Sequence, residues 1–115
     1  MNKKLSTAEK KDIIWKVSYK VLNCYLDFYR EEGYIKSLSN SIKNYLPNEF
    51  DYLLFSYHGI PERHVKKMDP TLSHCLNNKD CCSVSSEAHK YCYKHQVLTT
   101  SELCAEQLGL NKDQW

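Results

Sequence analysis

The stretch Asp51-Tyr52-Leu53-Leu54-Phe55-Ser56-Tyr57-His58-Gly59-Ile60-Pro61-Glu62-Arg63 limits what this chain can fold into more than any other. Its first half is a short, nearly unbroken apolar run, too short for a comfortable helix and shut off by Gly59 and Pro61. That is the pattern of a buried strand in an α/β sheet. His58 then falls where the strand ends. Ligands of open parallel sheets gather at the carboxyl ends of the strands, so a histidine delivered there is placed for chemistry. Gly59 permits a sharp turn, and Pro61 presets the dihedral for a first helical turn led by Glu62.

The flanking residues extend the pattern. Ile13 to Tyr29 is rich in Val, Tyr, Leu and Phe, and Leu22, Cys24, Leu26 and Phe28 alternate, which predicts a strand ending near Phe28-Tyr29. Between Glu31 and Leu46 the period changes. Ile35, Leu38, Ile42, Tyr45 and Leu46 recur at three and four residues, with Lys36, Ser39, Asn40 and Lys43 on the other face, and Pro47 follows. This predicts a helix lying on a sheet. Strand, helix and strand make a βαβ unit over residues 13–70, with a right-handed crossover and parallel strands. Two strands are not a stable sheet, so further neighbours are expected. Residues 1–12 are polar and lysine-rich. Ser6-Thr7-Ala8-Glu9 can cap a helical turn there, but with so few apolar residues the segment is expected to be mobile or only lightly docked. His64 to Pro70 predicts a short helix or turn that the proline interrupts. A last helix is expected over residues 88–109, with Tyr93, Val97, Thr100, Cys104 and Leu108 on one stripe and Gly109 as its cap.

The 115 residues allow one modest domain, and the net charge of +2 is spread over scattered lysines. Nucleic acid is therefore not an expected partner, because tracking phosphates needs a concentrated basic face. No apolar run approaches the roughly 20 residues that span a bilayer, and no secretory signal core opens the chain, so the expected compartment is the cytoplasm.

Composition shifts at Thr71. Cys75, Cys81, Cys82 and Cys92 fall within eighteen residues. A reducing compartment keeps thiols free, so a metal or cluster is expected rather than disulfides. Four thiolates satisfy a 2Fe-2S centre, and their softness favours iron–sulfur or zinc over calcium or magnesium. The adjacent Cys81-Cys82 departs from the Cys-x-x-Cys spacing of zinc sites. A cluster is the first expectation, structural Zn2+ the second and unliganded thiols the third. His74, His89 and His95 could each replace a thiolate in a Cys/His zinc site, although a solvated turn is the better expectation for each alone. Cys24 and Cys104, on apolar faces, are expected to be small buried hydrophobes.

The run Leu53-Leu54-Phe55-Ser56-Tyr57-His58-Gly59-Ile60-Pro61-Glu62-Arg63, with Asp69-Pro70 after it, resembles the signature of ferrochelatase, the enzyme that inserts ferrous iron into a porphyrin. The likeness continues through most of the chain, most loosely before about Val17. It implies a Rossmann-like chelatase domain, of which residues 1–115 would be a partial, internal piece, since known ferrochelatases are much longer. The missing parts of the enzyme would then supply much of the porphyrin cleft and the acidic partner of the histidine. The chain alone is accordingly expected to insert no iron.

By the same resemblance, His58 is the active-site histidine. Its imidazole would accept a pyrrole proton or briefly ligate the substrate Fe2+, with protoporphyrin IX as the porphyrin substrate in haem biosynthesis. Some bacterial members of the family hold a 2Fe-2S cluster through cysteines in an internal segment. This supports Cys75, Cys81, Cys82 and Cys92 as its ligands, with no direct part in metallation. Peripheral association with a membrane is compatible with the resemblance. Ser56 shares the strand face of His58, Tyr57 is expected to pack on the other, and Glu62 and Arg63 are assigned no catalytic role. Ser56-x-His58 on one strand is no catalytic triad, because nucleophile and base must meet within about 3 Å. The alternatives are a non-catalytic iron–sulfur or zinc module in which His58 is structural, and a related chelatase for another tetrapyrrole or metal.

Overall fold

A computed structural model describes residues 6–14, 16 and 28–115. Residues 7–14 are helical and open on a reciprocal cap. The Ser6 amide donates to Glu9 Oε2 at 2.7 Å, and the Glu9 amide donates to Ser6 Oγ at 3.2 Å. This helical stretch is exposed, and its Lys16–Asp12 ion pair at 2.7 Å is a solvent-facing i,i+4 contact of small energetic weight.

Three further helices follow, and helix α1 spans Glu32–Tyr45. The Glu31 carboxylate caps it by accepting from the Tyr34 amide at 2.9 Å, and it stops at Leu46, whose extended backbone suits the residue before Pro47. Helix α2, Glu62–Lys67, starts behind Pro61 and ends at Met68, ahead of Asp69-Pro70. Helix α3, Tyr93–Gln107, starts behind Cys92. It closes on Gly109 at φ +70°, with Leu110 N–H donating to Ala105 O and Gly109 N–H to Glu106 O. A residue with a Cβ is disfavoured at that left-handed position. Short 3-10 turns occupy Phe28–Arg30 and Glu87–Lys90.

Helix α1 lies against α3, and the Phe28–Arg30 turn touches both. Ile35 and Ser39 of α1 are buried, as are Thr100, Ser101, Cys104 and Ala105 of α3. Side chains this small let two helix backbones approach closely. Thr100 Oγ1 donates to the buried carbonyl of Tyr29 at 2.7 Å and so fastens the turn to α3. Cys104 is fully buried, as expected of a small hydrophobe. Burial raises its thiol pKa, and the neighbouring Ser39 hydroxyl partly offsets this. Ser39 Oγ makes no well-formed hydrogen bond, so its contact with that sulfur is a weak polar one. A second, smaller core gathers Val65 of α2 with Cys75, Ala88 and Cys92, and Ile60 and Leu76 pack against it.

The Rossmann-like α/β arrangement with parallel strands is not what these residues form: the fold is helical, and no strand occurs among the described residues. The expected first strand end, Phe28-Tyr29, is a 3-10 turn, and Leu22, Cys24 and Leu26 lie outside the described residues. Residues 52–61 carry no regular structure, and the Leu53 amide bonds to the carbonyl of Gln114 at 2.8 Å, in the C-terminal turn. The reason is that an apolar run specifies a chain able to pair, whereas a strand exists only once a second strand supplies the ladder. Without that neighbour Leu54 is 78 % exposed, while Phe55 finds an edge-to-face contact with Trp115 at 5.7 Å between centroids. The amphipathic face of α1 is accordingly spent on another helix instead of a sheet.

Replacing Thr100 with Val keeps the side-chain shape and removes the donor to the Tyr29 carbonyl. The expected cost is about 1–2 kcal/mol. Thermal melts of the Thr100→Val variant should show a lower midpoint, and an unchanged melt would mean that this bond contributes nothing.

Candidate functional site

His58 lies exposed in the irregular segment and is tethered on both sides. On one side, the Tyr57 hydroxyl meets Ser101 Oγ of α3 at 3.0 Å. Ser101 sends its own proton to the Val97 carbonyl at 2.9 Å, so the tyrosine is the donor. On the other side, Ile60 rests on the small core and Val65, one helical turn beyond Pro61, is buried within it. The imidazole is thus open to solvent on a stretch held at its two ends. Ser56 is exposed as well, and Tyr57, expected to pack, instead carries a polar tether. Glu62 and Arg63 form no ion pair among the described residues.

Immediately after α2, Asp69 organises the cysteine-bearing loop. Its side chain is 2 % exposed, and Oδ1 accepts from the Thr71 amide at 2.8 Å and the Thr71 hydroxyl at 2.7 Å. Oδ2 accepts from the amides of His74 and Cys75, both at 2.8 Å. Burial alone would raise the carboxyl pKa. The bonds from Cys75, the Thr71 hydroxyl, His74 and the Thr71 amide outweigh it and hold Asp69 well below the usual carboxylate range. The same loop turns through left-handed backbone at Leu72 (φ 57°) and Leu76 (φ 62°), conformations that branched-chain residues seldom adopt. The ring of bonds to Asp69 holds the chain through the first of these, and Leu76 follows directly after its last donor, Cys75.

Cys75, Cys81 and Cys92 are buried and Cys82 half-buried, and all four are free thiols. Burial pushes the Cys75 thiol up to about 12, with Cys92 beside it as charge and hydrogen-bond partner, then Asp69 and Cys81. Burial likewise pushes Cys82 up to about 11, reinforced by Cys81 and Cys92 and partly opposed by Lys94. The thiols are therefore electrostatic neighbours. Among the described residues no three His, Cys, Asp or Glu side chains close on a common point ready to grip an ion. In kind and number, four soft sulfur donors suit a two-iron centre or zinc, and Cys92 caps α3, where the helix dipole favours negative charge. Because Cys75 and Cys82 are held as neutral thiols, any such binding must expel their protons.

The three histidines of this region neither lie on solvated turns nor take a thiolate's place in a site that is ready to bind. His74 Nε2 and His89 Nε2 both meet the Cys81 carbonyl, at 2.6 and 2.8 Å, and His95 Nδ1 meets the Cys82 carbonyl at 3.2 Å. His89 and His95 stack at 3.8 Å between centroids and 9° between planes, with His74 edge-on to His89 at 5.4 Å. Burial lowers the pKa of His95, and the adjacent His89 adds to this. Neither Asp69 nor the paired imidazoles were evident as a site from residue pattern. The Asp-Pro-Thr order was the one local signal, since aspartate is the residue type that folds back on amides just ahead of it.

Comparison with known proteins gives one consistent result. The family model described as Ferrochelatase matches residues 2–115. The chain is similar to the ferrochelatases of Ectopseudomonas mendocina (strain ymp), 47 % identical, and Pseudomonas fluorescens (strain Pf0-1), 44 % identical. Each match covers 89 residues, 76 % of this chain and 26 % of the relative. That of Azotobacter vinelandii is 39 % identical over the same shares. The chain thus spans about a quarter of the length of the curated relatives it matches. No solved structure matches it.

Since the Asp69 carboxyl pKa is depressed in the fold, its contribution to stability is complete above the ordinary carboxylate range near pH 4 and fades as pH falls toward the native value. Hydrogen exchange at the His74 and Cys75 amides should therefore accelerate in acid, relative to intrinsic exchange. Asp69→Asn should show that loss already at neutral pH. Protection that is indifferent to both would remove Asp69 from its organising role.

Proposed function

The chain belongs to the ferrochelatase family, and on that premise we propose that it takes part in inserting Fe2+ into a porphyrin, with His58 at the insertion site. The observation that carries the reading is His58 standing solvent-open inside the Leu53–Arg63 run of a chain whose family match covers residues 2–115. Protoporphyrin IX in haem biosynthesis is the proposed substrate, and the cytoplasm the proposed compartment. The relatives' printed name, ferrochelatase, supports a porphyrin as the substrate class. No helix among the described residues is long and apolar enough to cross a membrane.

Metallation exchanges two pyrrole protons for one Fe2+. The pyrrole nitrogens keep the electron pairs of their broken N–H bonds and give them to the metal, and the protons must leave the macrocycle. A neutral imidazole takes such a proton on its free ring nitrogen and passes it to water, which is within reach of an exposed side chain. The tethers at Tyr57 and Val65 limit how far that ring can wander, so part of the orientation is supplied before substrate arrives.

Cys75, Cys81, Cys82 and Cys92 are the residues that would hold a 2Fe-2S cluster, with Zn2+ as the second choice. Such a group, when bound, would supply metal–thiolate bonds joining the Asp69 loop to the start of α3. Its place in the proposal is structural, because the protons of metallation are handled at His58. Four thiols within eighteen residues would by themselves also suit a non-catalytic binding module. The histidine run and the family favour the enzyme, and a chelatase for another tetrapyrrole or metal stays within the same class.

In the complete reading frame that encodes this chain, His58→Ala should lower the rate of iron insertion by about 100-fold or more, the usual weight of a general base. Its circular dichroism should stay unchanged, as expected for an exposed side chain. Retention of most of the rate would take His58 out of the mechanism. Purified without oxygen, the protein should be brown and the Cys81→Ser variant bleached. A colourless protein with stoichiometric zinc would decide for zinc.

A further inference from the structure

The adjacent pair Cys81-Cys82 poses a geometric problem for any four-thiol site. Neighbouring side chains diverge in extended backbone, so presenting both to one partner requires their peptide units to be held in a turn. Residues 81–83 do form a turn, with the Ser83 amide bonded to the Asp80 carbonyl at 2.9 Å. The restraint on the outer side of that turn is the imidazole group. A carbonyl oxygen has two lone pairs, and that of Cys81 faces the Nε2 atoms of His74 and His89 at 2.6 and 2.8 Å. Both nitrogens must carry hydrogen, which fixes both rings in the Nε2–H form. The next carbonyl, of Cys82, takes the Nδ1–H of His95 at 3.2 Å, leaving His95 Nε2 to accept from the Thr99 hydroxyl at 3.4 Å.

The three rings come from segments next to the other two thiols. His74 precedes Cys75, His89 lies in the 3-10 turn before Cys92, and His95 is three residues after Cys92 on α3. The 3.8 Å stack of His89 on His95 joins two of these segments directly. A single contact of this kind would be incidental. Here three donors converge on two successive carbonyls, and each ring nitrogen nearest the cysteine pair is already committed.

From this geometry we infer that His74, His89 and His95 are positioning residues: a three-imidazole clamp on the Cys81 and Cys82 carbonyls that presents this pair to Cys75 and Cys92. They act through the backbone and are not ligands themselves. The inference rests on the reading of the four cysteines as a metal or cluster site, and it adds what shapes that site.

The test uses the full chain and two readouts. Without metal, iodoacetamide should modify Cys81 and Cys82 about tenfold faster in His89→Ala than in the wild type, the effect of losing one hydrogen bond. After anaerobic reconstitution with ferrous iron and sulfide, the same variant should bind less iron and show an altered visible circular dichroism. His89→Gln, which keeps an N–H near the same place, should restore both, and Thr100→Val, which destabilises elsewhere, should move neither. Wild-type modification rates in His89→Ala, or a His89→Gln variant indistinguishable from it, would overturn the clamp. If the wild type assembles no chromophore yet His89→Ala still unmasks the thiols, the clamp stands and the cluster reading falls. Should His89→Ala fail to fold, imidazole 15N spectra of the wild type decide. Nε2–H at residues 74 and 89 with Nδ1–H at 95 supports the clamp, and any other set of tautomers overturns it.

Discussion

The carboxylate of Asp69 is the interaction on which the functional half of the molecule depends. Two oxygens collect one hydroxyl and three amide hydrogens from the next six residues, all at 2.7–2.8 Å. Charge-assisted bonds of this length are about twice as strong as neutral ones, and here they hold a loop that has no helix or ladder of its own. They do so through the left-handed Leu72, so the loop's shape goes against local preference and must be imposed. Because Cys75 donates one of those amides, the carboxylate sets where the first thiol of the cysteine group lies.

From there the structure links the two chemical regions through packing. Val65, Cys75, Ala88 and Cys92 form one small core, and Ile60, two residues after His58, rests on it. The cysteine segment is therefore the ground on which one end of the His58 segment stands, and the Tyr57–Ser101 bond ties the other end to α3. A chain of this length with modest helical contacts has little apolar burial to spare. Polar restraints at Asp69, Thr100 and Tyr57 do much of the positioning that a larger core would otherwise provide.

Local pattern was legible wherever the signal and its cause lay within a few residues. The Ser6–Glu9 cap, the extent of α1 between Glu31 and Pro47 and the Gly109 terminus follow from side chains bonding to their own neighbourhood. The last helix starts at Tyr93 rather than near Ala88, because residues 87–90 tighten into a 3-10 turn and Cys92 becomes the cap. The sheet was the failure. Alternating and continuous apolar runs record a capacity for pairing, and pairing is a property of two segments. The histidine cluster is illegible in sequence for a related reason. Taken singly, each looks like a surface residue, and their common target, two backbone carbonyls, has no sequence signature.

The amino-acid order alone determined the family and the candidate chemistry. A histidine inside an eleven-residue signature and four cysteines in eighteen residues are one-dimensional facts, and reactivity belongs to residue type. Tertiary structure decided which groups meet. It made the fold helical, gave Asp69 its loop, buried three of the four thiols and turned three imidazoles onto one dipeptide. The physical reason is that hydrogen bonds and burial depend on distance in space, and residues such as Tyr57 and Ser101, or His95 and Cys82, become neighbours only when the chain has closed.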